Sequence, residues 1–119
     1  MSVRDKLLTP VTMPKEAVPI PELGEGVSVT VQGMTAAQKN AFDLQFVKDG
    51  QPNPKTQKQA RERMLVACCV NDDGTRMFTL EDVAALGLQS VQIVERIFDA
   101  CQRVNGITEA APDYEKNSD

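Results

Sequence analysis

The spacing of apolar residues changes along this chain, and each change marks an element. Residues 27–32 alternate strictly, with Val27, Val29 and Val31 interleaved with Ser28, Thr30 and Gln32. Such alternation of β-branched residues predicts a strand with one dry and one wet face, ended by Gly33. A strand needs a partner, and the candidates are residues 16–20 before it and 64–70 after it. Thr35 with Gln38 is a capping-box pattern that opens a helix expected to reach Lys48, with Ala37, Ala41, Phe42, Leu44 and Phe46 as its apolar residues. Residues 49–54 read as a loop from their Gly and Pro content.

Residues 55–63 favour a polar, basic helix. The apolar run 64–70 fits both helical spacing (Ala60, Met64, Leu65, Cys68) and a short buried strand. The turn Asn71-Asp72-Asp73-Gly74 suits a hairpin return through Arg76 to Phe78, so the expectation is a helix that gives way to a strand near Leu65. Thr79 is placed to cap a short helix with Glu81 and Asp82 in its first turn, Phe78 stapling onto Val83 and Gly87 closing it. Ser90 caps the last helix, residues 91–104. At about 100° per residue, Ile93, Val94, Ile97, Phe98, Cys101 and Val104 fill an arc of roughly 140°. Asn105-Gly106 is its C-cap, with Ile107 as the hydrophobic contact.

The two ends differ. Ser2 can cap a helix over residues 3–8, but Pro10, Pro14, Pro19 and Pro21 keep the following segment from being helical. The tail carries Glu109, Asp113, Glu115 and Asp119 against Lys116, without periodicity. The expected organisation is a mobile N-terminal arm at 1–15, one α+β domain at 16–108 and a disordered acidic tail at 109–119. Its small antiparallel sheet would contain residues 27–31 and 65–70, packed by three to five helices, chiefly those starting at Thr35 and Ser90.

Composition narrows the function. The 119 residues carry a net charge of −4, with four Phe, one Tyr, no Trp and no His. A uniformly acidic chain repels nucleic acid and anionic membranes. The basic stretch 55–63 has no interleaved aromatic residue on which bases could stack, so it reads as a solvated helix face. Residues 1–8 are too short and charged for a secretory signal core, and the apolar run 64–70 is far below the ~20 residues of a membrane span; a soluble chain is expected. Three cysteines, Cys68, Cys69 and Cys101, are an odd number suited to a reducing compartment and to small buried hydrophobes.

Candidate chemistry is sparse. Without histidine, the commonest general base near neutral pH is missing. Gly24-Glu25-Gly26 lacks the third glycine of a phosphate loop. Asn71 to Gly74 resembles part of a calcium loop, but the first and twelfth positions would be Cys69 and Leu80, which supply no oxygen donor of the kind required. The reading is a non-enzyme with no cofactor and no metal.

The segment ArgGluArgMetLeuValAlaCysCysValAsnAspAspGlyThrArgMetPheThrLeuGluAspValAlaAlaLeuGly, followed by the helix that runs from Ser90 to Thr108, resembles the tail assembly chaperones of long-tailed, non-contractile bacteriophages and related prophages. The likeness extends upstream through residues 20–43 and covers roughly residues 17–108. It implies a protein of the infected host's cytoplasm, absent from the mature virion, that coats the tape-measure protein and helps recruit tail-tube subunits. It further implies two products, the longer made by −1 ribosomal frameshifting, this chain being the short form. Glu115-Lys116-Asn117 can be encoded by a run able to slip back one base.

A chaperone of this kind needs an apolar contact surface on a soluble acidic body. Phe42, Phe46, Ile93 and Phe98 are the candidate partner-binding residues, and homo-oligomers are compatible with the role. The alternative function is a small structural tail or connector subunit of the virion. A third is a regulator that binds nucleic acid through residues 55–63.

Overall fold

The structure is a computed structural model that describes residues 2–107. The acidic tail at 109–119 and the candidate slip site lie outside the described residues. The fold is α+β. Helix α1 (Val3–Leu7) is followed by strand β1 (Lys15–Pro19), a 3-10 turn at Pro21–Leu23 and strand β2 (Ser28–Gln32). Then come α2 (Ala36–Leu44), the short strands β3 (Val47–Lys48) and β4 (Gln51–Pro52), and helices α3 (Pro54–Gln57) and α4 (Ala60–Cys68). Strand β5 (Cys69–Val70), a second 3-10 turn at Leu80–Asp82, α5 (Val83–Leu86) and α6 (Val91–Val104) complete the order.

The alternating segment sits at the centre of the sheet, whose order is β1-β2-β5 with both pairings antiparallel. Val18 pairs with Val29, and Val31 pairs with Cys69. Both candidate partners of this strand are therefore used. Its dry face is graded: Val31 is fully buried, Val29 half-buried and Val27 exposed. Helix α6 lies across β1 and β2 and packs along α4. The core joins Val18, Ile20 and Val31 of the sheet side to Leu65 and Cys68 of α4 and to Ile93, Val94, Ile97 and Cys101 of α6.

Caps confirm the start and end signals of the long helices. Thr35 and Gln38 form the reciprocal capping box, with Gln38 N–H donating to Thr35 Oγ1 at 3.1 Å and Thr35 N–H to Gln38 Oε1 at 2.9 Å. Ser90 Oγ accepts from Gln92 N–H. At the other end of α6, Gly106 takes a φ of 71°. Its N–H reaches Arg103 O while Ile107 N–H reaches Gln102 O at 2.8 Å, the paired bonds of a Schellman motif.

Several expectations are corrected. The helix from Thr35 ends at Leu44 instead of reaching Lys48, because Asp49 and Gly50 hold φ values of 53° and 77° and turn β3 back onto β4. Two consecutive positive-φ residues define the tight hairpin turn that Asp-Gly favours, so part of the expected loop is a hairpin. The basic helix is split, α3 stopping at Gln57 and α4 beginning at Ala60. Helix α4 continues to Cys68, and the strand is only Cys69–Val70. Met64, Leu65, Val66 and Cys68 are all buried, so this helix is enclosed on several sides and needs no polar stripe. The return strand reduces to one bridge, Val70 with Arg76. Thr79 does form a capping box with Asp82, but the first turn it opens is 3-10, and Gly87 stays right-handed with φ −67°.

Candidate partner-binding surface

An apolar groove of about 270 Å³ opens where α6 begins. Leu65 of α4 and Ile93, Val94 and Ile97 of α6 form its floor and wall, and Leu23, Val27, Phe78 and Leu86 its rim. Local backbone chemistry places the rim. Ile20 N–H donates to Val27 O at 2.8 Å and Val27 N–H to Gly24 O, folding Pro21–Leu23 over the sheet end. Gly26, with φ 77°, supplies the left-handed residue that this reversal needs. The closure is incomplete: Leu23 remains 55% and Val27 38% exposed. Leu88, at 90%, and Val91, at 66%, flank Gln89, another lining residue.

The electrostatics around this end are acidic. Beside the groove, and sharing Ser28 and Met77 with it, lies an open depression of about 500 Å³ lined by Asn71, Asp72 and Asp73. The hydroxyl and N–H of Thr75 donate to the Asp73 carboxylate and hold it below the usual carboxylate range. Glu25 lies on the rim turn and Glu81 on the 3-10 turn after Phe78. Two fork-shaped ion pairs fasten this architecture to α6. Arg96 donates to both oxygens of Glu22 at 2.8 and 2.6 Å, and Arg103 to both of Glu16 at 3.1 and 2.6 Å. The hydrogen bonds from Arg96 hold Glu22 at about 2. Glu16 is likewise lowered by Arg103.

The four residues expected to contact a partner fall in different settings. Phe42 is buried and meets half-buried Phe46 edge to face, with ring centres 4.9 Å apart. Beside them Leu44 and Val47 stand 68% and 45% exposed. Ile93 is buried and forms part of the groove wall. Phe98 is half-buried beneath the Arg61 guanidinium, 5.8 Å from the ring centre, and Arg61 also pairs with Glu95 at 3.0 Å. The structure thus brings Phe42 and Phe46 together, and it places Ile93 alone of the four in the groove. Sequence reasoning did not single out Leu23, Val27, Leu88 or Val91. Their signal was an apolar side chain set directly beside a turn or cap residue, where a polar one is usual.

Of the basic stretch, Arg61 is engaged as described, and Arg63 donates to Gln59 and Gln45. Cys68, Cys69 and Cys101 are buried free thiols. Hydrogen bonding to the Cys68 and Cys69 sulfurs, with burial, pushes the Cys101 thiol far up. Among the described residues no group of three His, Cys, Asp or Glu side chains is placed to hold a metal, and no helix is long and apolar enough to cross a membrane.

No protein-family model and no curated protein matches the chain. Among solved structures, it is similar to that of the bacteriophage HK97 tail assembly chaperone, with a TM-score of 0.57 and 15% sequence identity. The match covers 92% of this chain and 97% of that one, so the two share a fold over essentially their whole lengths.

Proposed function

We propose that this chain is a phage tail assembly chaperone, a non-catalytic protein that binds the tape-measure protein and helps recruit tail-tube subunits. The observation that carries the reading is the end-to-end likeness of fold to the solved chaperone. The family resemblance of residues 17–108 points the same way from sequence. A chaperone requires exposed apolar surface on an acidic body, and here Leu44, Val47 and the half-buried Phe46 form one such patch beside Phe42. In this reading Phe46 and Phe98 meet the client directly, while Phe42 and Ile93 support the contact from beneath. The protein works in the host cytoplasm and is absent from the finished particle. A longer product, made by slippage near Lys116, carries the contact to tail-tube subunits.

Co-expression with the tape-measure protein of the same genome tests this. The client should become soluble and co-purify, and Leu44→Asp with Phe46→Asp should abolish capture in a chain that remains folded. A client left insoluble and unbound by the wild-type chain overturns the reading. Mass spectrometry of purified particles separates it from a structural tail or connector subunit, which would be present in every virion.

A further inference from the structure

Leu88 is the most exposed large apolar side chain among the described residues, at 90%, and Val91 beside it is 66% exposed. Neither sits in a loose loop. Leu88 N–H donates to Ala85 O and Gln89 N–H to Leu86 O, both at 3.1 Å, and Ser90 N–H donates to Gln89 Oε1 at 2.8 Å. Val91 is the first residue of α6. The backbone therefore holds both side chains in solvent at fixed positions, which lowers the ordering cost of a contact made there.

An unsatisfied carboxylate adjoins this corner. Glu62 lies in the first turn of α4, with Oε1 3.9 Å from where a Cβ on Gly87 would stand. Its Oε2 is enclosed and, among the described residues, has no hydrogen-bond partner. The adjoining cations are turned elsewhere: Arg61 pairs with Glu95 at 3.0 Å, and Arg63 donates to Gln45 Oε1 at 2.9 Å. A carboxylate only accepts, and an oxygen removed from water without a donor costs stability. A lysine or arginine offsets that cost with a charge-assisted bond. Glu62 as a whole is half-buried, and the terminal torsion of a glutamate is broad, so a cation arriving over exposed Gly87 can reach the carboxylate.

We propose that Leu88, Val91 and Glu62 form a second docking surface for the client, one that takes an apolar segment carrying a lysine or arginine. The segment's apolar side chains cover Leu88 and Val91, and its cation pairs with Glu62. The first turn of α4 stands between this surface and the patch on α2. Arg63 reaches toward Gln45, beside Leu44 and Phe46, while Glu62 faces Gly87. One client can thus be gripped on both sides of that turn. This assignment rests on the chaperone reading and adds to it the chemistry of the segment bound.

Retention of the co-expressed tape-measure protein on the tagged full chain, washed at rising salt, is the test. Leu88→Asp/Val91→Asp should lower retention about a hundredfold, roughly tenfold for each apolar side chain lost. That variant should keep its fold by circular dichroism, because both side chains are in solvent and an acid at the start of α6 suits the helix dipole. Glu62→Gln keeps the shape of the side chain; it should weaken retention about tenfold and flatten its dependence on salt. Equal retention by wild type and Leu88→Asp/Val91→Asp overturns the proposal, as does a salt dependence that Glu62→Gln leaves unchanged. A wild-type chain that retains no client overturns the chaperone reading, and this surface falls with it; the wild-type result alone tells the two failures apart. Sedimentation without client tests a second copy of the chain as the occupant. Leu88→Asp/Val91→Asp should match wild type in mass at every concentration, and a loss of mass overturns the assignment to the client.

Discussion

The two ends of α6 are built to different standards. At its C-terminal end the cap is closely tied to the rest of the fold. Asn105 Oδ1 accepts from Met34 N–H at 2.7 Å, while its amide donates to Cys101 O at 2.7 Å and toward the Cys68 sulfur. Gly33 is buried so closely that a Cβ there would lie 2.8 Å from Val104 O and 3.2 Å from the Pro14 ring. At the N-terminal end the same helix borders a groove, and Leu23, Leu88 and Val91 remain in solvent. One helix therefore serves two purposes. Its closed end fixes the arrangement of sheet, arm root and α2, and its open end leaves apolar area whose burial is worth about 25 cal/mol per Å² to whatever covers it.

The sharpest way to break this contrast is at the closed end. Gly33→Val forces a branched side chain against backbone that cannot withdraw, and should cost about 3 kcal/mol in urea unfolding. Leu23→Ala at the open rim should change stability by no more than about 0.5 kcal/mol. Equal losses at the two sites would erase the distinction. Asn105→Ala should cost about 2 kcal/mol, because it leaves the part-buried Met34 N–H without its acceptor. The same melts read it, with Asn105→Asp separating lost acceptor from lost donor.

A smaller effect sharpens the picture at the rim. Glu22 is held at about 2 by Arg96, against an ordinary value of 4.5. A depressed carboxylate contributes stability that is fully present above about 4.5 and is lost as pH falls toward about 2. The stability gap between wild type and Glu22→Gln should therefore be constant at neutral pH and close through that acidic window. Both side chains are more than a third exposed, so added salt should shrink it. A gap independent of pH would mean that Glu22 acts through packing.

Much of this fold is legible in the chain because its signals are local. The alternation at 27–32, the Thr35–Gln38 box, the Ser90 cap and the Asn105-Gly106-Ile107 ending each rest on contacts within a few residues. What is not legible depends on distant neighbours. Whether residues 64–70 form helix or strand is decided by how many sides of α4 are enclosed. Asp49-Gly50 announces a tight turn, but the two-residue strands beside it are too short to show alternation. The candidate surface is least legible of all. Val27 continues the dry-face pattern perfectly, and its exposure arises because the turn folded over that end of the sheet covers it incompletely. Phe42 and Ile93 look the same in sequence whether they face solvent or the core.

The three sealed thiols also make a clock. Cys68 and Cys101 lie at the closed end of α6, and Cys69 joins them where α4 becomes strand; all three have no measurable exposure. A thiol reagent can reach them only after this part of the molecule opens. Modification by a large excess of reagent thus proceeds at a pace set by opening, and the order in which the three react reports which element lets go first. Because no native thiol competes at the surface of the described residues, a cysteine introduced at Leu7 or Val27 would react at once, on a timescale well separated from theirs.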